Sequence, residues 1–91
     1  MRFEQTRVMR TVTYTVTDAP DQPVRYGRSG IIFRPDTVMV TVESGEILSV
    51  RARGYRALKD GTLGQARHEV LYYRSEPVPE WLSDIVKAAR A

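Results

Sequence analysis

The sequence contains no cysteine and a single histidine, His68. Without cysteine there is no disulfide and no thiolate metal site. One histidine cannot build the usual zinc site within one chain. Lysine is scarce too, with Lys59 and Lys87 set against twelve arginines. No apolar run approaches membrane-spanning length, and the N-terminus lacks a signal-peptide pattern. These absences lead us to expect an intracellular, cytoplasmic protein, in the host cytoplasm if phage-encoded. Low-complexity segments and internal repeats are missing as well. At 91 residues and 42% apolar content, the chain is expected to form one small domain, 1–91, of marginal stability.

What is present is β-strand patterning. From Ile47 to Tyr55, Leu48, Val50 and Ala52 alternate with Ser49, Arg51 and Arg53. Period-two alternation sends the two sets to opposite faces of a sheet. Ala66 to Tyr73 alternates in the same way, with His68, Val70 and Tyr72 on one face. Between them Lys59-Asp60-Gly61 predicts a three-residue loop with Gly61 left-handed. That loop pairs Val50 with Val70, Leu48 with Tyr72, and Arg51 with Glu69, and sets Arg53 opposite Arg67. The preceding hairpin joins Val38, Val40 and Val42 to the same strand. Keeping these valines on the face of Leu48 and Val50 calls for an odd loop, Glu43-Ser44-Gly45. Val40 then lies opposite Leu48, and Val38 opposite Val50.

Residues 7–17 form a clear strand. Val8, Val12, Tyr14 and Val16 share one face, and Arg7, Thr11, Thr13, Thr15 and Thr17 the other. The threonine row reads as a solvated strand face of good β-formers. Arg10 interrupts the apolar face and should snorkel at its edge. Asp18 to Gly30 reads as a long loop, Ile31-Ile32-Phe33 as a short buried strand, and Arg34-Pro35-Asp36-Thr37 as a turn. Gly54 interrupts its strand and suggests a bulge. Pro77 and Pro79 end the sheet pattern, and Pro79 to Arg90 predicts a helix. Its stripe is Leu82, Ile85, Val86 and Ala89, with Trp81 beside it. Acidic residues lie early and basic residues late, which suits the helix dipole. The expected fold is therefore α+β: an antiparallel meander sheet of four to five strands with one C-terminal helix packed on one face. Trp81, Leu82, Ile85 and Val86 should dock on Val40, Leu48, Val50 and Val70.

No motif for chemistry stands out. Gly27-Arg28-Ser29-Gly30 lacks the lysine and serine/threonine pair of a phosphate loop. His68 has no nucleophile at useful spacing and reads as a sheet residue at the border of the core. Glu76, Glu80 and Asp84 cluster near a helix start, where the dipole accounts for two of them. No catalytic, cofactor-binding or metal-binding residue is assigned, and no cofactor, small-molecule substrate or enzymatic activity is expected. The net charge is +3, and its arginine bias also fits a GC-rich genome.

The face away from the helix is more informative. It should carry Met39, Ile47, Leu71 and Tyr73 among Arg51, Arg53 and Tyr55. One helix cannot cover both faces, so this one is expected to be an interface, with a homodimer favoured. The expected function is a non-enzymatic protein-interaction module, as a phage or mobile-element accessory protein that binds itself or a host protein. The alternative is a nucleic-acid-binding module using Arg51, Arg53, Tyr55, Arg56, Lys59 and Arg67, since arginine and tyrosine together grip phosphates and stack on bases. The pattern Gly54-Tyr55-Arg56, Lys59-Asp60-Gly61 and Pro79-Glu80-Trp81-Leu82 resembles small proteins of actinobacteria and their phages, a likeness that implies no activity.

Overall fold

A computed structural model describes residues 1–25, 30–74 and 76–91. The strands are β1 (Met9–Thr15), β2 (Gln22–Pro23), β3 (Ile32–Glu43), β4 (Glu46–Ala57) and β5 (Leu63–Tyr73). A 3₁₀ turn at Glu80–Leu82 leads into the helix α1, Ser83–Arg90. The fold is α+β: a five-stranded antiparallel sheet with one C-terminal helix. The spatial order is β1-β3-β4-β5, and β2 also pairs with β3. Strands β3, β4 and β5 form the expected meander. Strands β1 and β2 both run antiparallel to β3, as two pieces of one edge.

Strand β3 is longer than the sequence suggested. Arg34-Pro35-Asp36-Thr37 is not a turn. Pro35 pairs with Gly54 and Thr37 with Arg53, which leaves Asp36 as a bulge residue. The bulge shifts the alternation by one position, so Phe33 and Pro35 before it and Val38, Val40 and Val42 after it are all buried. Pro35 can sit inside this strand because of where the neighbouring edge breaks. Thr37 pairs with Thr15, and Phe33 with Gln22. Pro35 therefore lies opposite the excursion between β1 and β2, where no ladder donor is needed. The expected loop 18–30 thus contributes a short strand, and Gly27-Arg28-Ser29 falls outside the described residues.

Gly54 is where the sheet is tightest. A Cβ there would lie 1.8 Å from the Arg34 carbonyl oxygen and 2.9 Å from the Pro35 Cα. Only glycine admits this approach. The irregularity sits on both neighbouring strands. On β5, Arg67 pairs with Tyr55 but Leu63 already pairs with Ala57, so β5 carries extra residues beside Arg56. Irregularities on adjacent strands at one level bend a sheet. Beyond β2 the chain lies over the core face, where Val24 packs against the core. Val24 donates to Ile31 O at 3.1 Å, closing the β2–β3 ladder. Arg25, just beyond, donates to Leu71 O at 3.1 Å and stacks 5.0 Å from the Tyr72 ring. It also pairs with Glu76.

The core lies between the sheet and the helix. Phe33, Val38, Val40, Val50, Ala52 and Leu82 are fully buried, with Val42, Val70, Tyr72 and Ala89 close behind. Trp81, Ile85 and Val86 pack against them half-buried, as do Tyr14 and Val16 of β1 and its flank. The helix docks as its stripe predicts, with one exchange. Leu48 is outside the core, and Ile47 takes its place. Arg10 reaches the helix end and donates to Ala89 O at 2.6 Å. It snorkels as expected and satisfies a last-turn carbonyl.

Candidate interaction face

The face away from the helix is a set of cross-strand rows. Thr13, Met39, Arg51 and Leu71 line up across β1, β3, β4 and β5. Thr15, Thr37, Arg53 and Glu69 form the next row, and Thr11, Thr41, Ser49 and Tyr73 the row on the other side. Continuous ladders on four strands keep these side chains pointing outward together. The β1 threonines, read from sequence as a solvated row, widen this face. Thr11 and Thr41 hydroxyls lie 3.0 Å apart. A shallow depression of about 150 Å³ opens between Thr11, Met39, Ser49 and Arg51.

The structure brings together most of the expected interface residues and removes one. Met39, Arg51, Arg53, Tyr55, Leu71 and Tyr73 share the face. Ile47 does not. The loop of the β3–β4 hairpin is the two-residue Ser44-Gly45, with Glu43 opposite Glu46 and both loop residues at positive φ, 51° and 82°. That is a primed turn, whose twist suits a hairpin. Parity is recovered instead by a bulge. Thr41 pairs with Ser49 and Val42 with Ile47, so Leu48 is the extra residue. Val40 consequently lies opposite Val50, and Val38 opposite Ala52. Ile47 turns to the core side, and the open face loses its most apolar member. Met39 and Leu71 are half-buried, while Tyr73 is 60% exposed.

The second hairpin matches the expected loop and differs in register. Leu58 N donates to Thr62 O at 2.9 Å, enclosing Lys59-Asp60-Gly61, and Gly61 has φ 86°. Asp60 accepts from the Thr62 amide and hydroxyl, which hold its carboxyl below the usual range. The extra β5 residues then move the pairing by two. Val50 lies opposite Tyr72, and Arg53 opposite Glu69 rather than Arg67. A shift of two preserves the faces.

That register changes the electrostatics. The expected like-charge pair of Arg53 and Arg67 does not form. Arg67 donates to both oxygens of Asp36, at 2.9 and 3.1 Å, and its guanidinium stacks 4.4 Å from the Tyr55 ring. Arg67 lowers the Asp36 carboxyl below its ordinary range, with Thr37 and Arg53 adding to the effect against desolvation. Arg51 Nε lies 2.8 Å from Glu69, close enough to pair by charge though not aligned as a hydrogen bond. Asp36 is the residue of this face that sequence reasoning missed. Asp36 looked like a turn residue, and Glu69 was matched with the right partner in the wrong register. Arg56 alternates onto the opposite side from Tyr55, so the arginine and lysine set proposed for nucleic acid does not share one surface.

His68 alternates with Val70 and Tyr72 along β5. It is half-buried opposite Gly54, and its Nε2 is buried with no hydrogen-bond partner among the described residues. Among the described residues no group of three or more His, Asp or Glu is placed to hold a metal ion, and no helix is long and apolar enough to cross a membrane. No protein-family model, curated protein or solved structure matches the chain.

Proposed function

We propose that this chain is a non-enzymatic protein-interaction module that binds through the open sheet face, with a two-fold homodimer as the favoured assembly. The observation that carries the reading is the uncovered face itself. Its central row places half-buried Met39 and Leu71 on either side of Arg51, with Tyr73 exposed beside them. Arg51 faces Glu69 and Arg67 faces Asp36, so covering the surface does not strand these two cations unpaired. A phage or mobile-element accessory role, with the chain binding itself or a host protein, remains the setting we infer for it.

The nucleic-acid alternative has less support. Arg51 and Arg67 each already face a carboxylate, and Tyr55 offers one ring face to Arg67. Sedimentation equilibrium at micromolar concentration tests the dimer. A wild-type dimer converted to monomer by Leu71→Arg supports the reading. A wild-type monomer excludes self-association by this face. A nucleic-acid complex that weakens steeply with rising salt would favour the alternative, because counterion release dominates such binding.

A further inference from the structure

The two edges of the sheet are built differently. On one side β1 and β2 are separate pieces, and the second ends on Pro23. On the other side β5 is a single 11-residue strand with neither proline nor lysine, two of the devices that blunt an edge. In an antiparallel ladder the N–H and C=O of one residue point to the same neighbour, and successive residues alternate. Two contacts fix the phase on β5. Arg25 donates to Leu71 O at 3.1 Å, and Tyr73 N donates to a Glu76 carboxylate oxygen at 3.0 Å. Leu71 and Tyr73 therefore face away from β4, as do Glu69 and Arg67, while His68, Val70 and Tyr72 bond to it. The Arg25–Glu76 pair caps the Tyr73 end of this edge. At the other end residues 64–66 crowd opposite Arg56 and interrupt the ladder. Between these stops the backbone groups of Arg67 and Glu69 have no partner among the described residues.

An open strand edge bonds to another extended strand, and the charges here say which one. A two-fold axis through His68 sets Arg67 opposite the partner's Glu69, and Glu69 opposite the partner's Arg67. Moving the axis by one residue stacks Arg67 on its own copy, or Glu69 on its own copy, and like charges directly opposite disfavour pairing. An axis at Ala66 runs into the irregular residues 64–66. An axis at Val70 needs the groups of Leu71 and Tyr73 that Arg25 and Glu76 already cap. His68 is the centre that the free backbone and the charges both allow. Each side chain has room for its second partner. Arg67 gives one N–H from each Nη to Asp36, which leaves Nε and one further proton on each Nη. Glu69 has Arg51 on one side at 2.8 Å and is 48% exposed. Signs then alternate across the junction, from Arg51 to Glu69, the partner's Arg67 and the partner's Asp36.

We propose that β5 of one copy pairs antiparallel with β5 of a second copy about a two-fold axis at His68, joining the two five-stranded sheets into one. The contact is isologous, with each strand giving and receiving the same bonds. It uses the sheet edge rather than the open face, and it holds whether or not that face is covered.

Amide hydrogen exchange read residue by residue tests it, because covering the open face leaves the outward amides of Arg67 and Glu69 unbonded. In the wild-type chain these two amides should exchange more than about tenfold more slowly at millimolar than at micromolar concentration. The amides of Val70 and Tyr72, bonded to β4, should be protected at both and report that the fold is intact. Glu69→Arg and Arg67→Glu should each abolish the concentration dependence, since each sets like charges across the axis. An equimolar mixture of the two should regain it, because two arginines on one strand then face two glutamates on the other. Where a reversal unfolds the chain, the wild-type comparison decides alone. Free exchange at Arg67 and Glu69 at every concentration, protection that survives both reversals, or a mixture of folded variants that does not regain it would each overturn the proposal. Val16 N donates to Asp36 O, so Thr11 and Thr13 are outward residues of β1. Concentration-dependent protection there, with none at Arg67 and Glu69, would assign the association to the opposite edge and overturn it too.

Discussion

The two hairpins solve the same problem in different ways. Each must bring apolar residues of β4 onto the helix-covered face. The β4–β5 hairpin does so with an odd loop, Lys59-Asp60-Gly61, and a later shift of two residues that leaves the faces unchanged. The β3–β4 hairpin uses an even loop, Ser44-Gly45, and one extra residue, Leu48. Parity can thus be set in the turn or corrected a few residues into the ladder. Counting apolar residues across a turn identifies the need for an odd number of residues. It does not say where the odd residue goes.

Both hairpins share β4, and both depend on Gly54. There β4 lies directly against the backbone of Arg34 and Pro35 on β3. Gly54→Ala should therefore have the largest effect. The added Cβ would meet the Arg34 carbonyl at 1.8 Å, and neither strand can yield without losing the bend. We expect a loss of more than about 3–4 kcal/mol, or failure to fold. Urea denaturation measures it, and a variant within 1 kcal/mol of the parent, an upper bound of about the usual surface effect, would show that the bend is soft.

The bulge at Leu48 makes a sharper and smaller prediction. If it is correctly placed, Ile47 serves the core and Leu48 does not. Ile47→Ala should cost about 1–3 kcal/mol, since Ile47 is half-buried against the cluster. Leu48→Ala should cost less than about 1 kcal/mol. The reverse order would restore the odd loop and return Ile47 to the open face.

This pair of residues also shows what the sequence reveals. The long strands, most of their faces, the helix and its stripe were legible because each repeats a period over many residues. The register was not. A primed turn and an odd loop both fit Glu43-Ser44-Gly45-Glu46, and the bulge leaves no compositional mark at Leu48. Pro35 misled in a different way. Proline inside a strand normally argues against it, and only the break in the β1–β2 edge makes room. The interaction face was half legible. Alternation placed Met39, Arg51, Leu71 and Tyr73 together, whereas the counter-ions Asp36 and Glu69 depend on the register.

The turns themselves respond to smaller changes. Ser44 holds φ 51°, a left-handed conformation costly for serine. Ser44→Asn should stabilise by about 0.5 kcal/mol, because asparagine tolerates that region and Asn-Gly suits a primed turn. Gly61→Val should act in the opposite direction by about 1–2 kcal/mol, since a β-branched residue is strained at φ 86°. Chemical denaturation of both variants compares the two loops directly. A destabilising Ser44→Asn would argue for the odd loop after all.

The smallest expected effect concerns acid. Asp36 on β3 and Arg67 on β5 clasp the sheet across the intervening β4, beside the bend that separates the two hairpins. The Asp36 carboxyl is held below its ordinary range, first by Arg67 and then by Thr37 and Arg53. A carboxyl with a depressed folded-state pKa binds its proton less readily in the native chain than in the unfolded one. Its stabilisation is present above the unfolded value, about 3.9, and fades as pH falls through the lower native value. Asp36→Asn removes that contribution and should flatten the acid limb of the stability curve between about pH 4 and pH 2. Some slope should persist, because the Glu76 and Asp60 carboxyls are lowered too, by Arg25 and by Thr62 respectively. The clasp is exposed to solvent, so the change should be slight and should shrink further in high salt. Urea midpoints of parent and variant at pH 5 and pH 2.5 read the difference. Parallel limbs would mean that the clasp contributes nothing and that the backbone contact at Gly54 holds the bend alone.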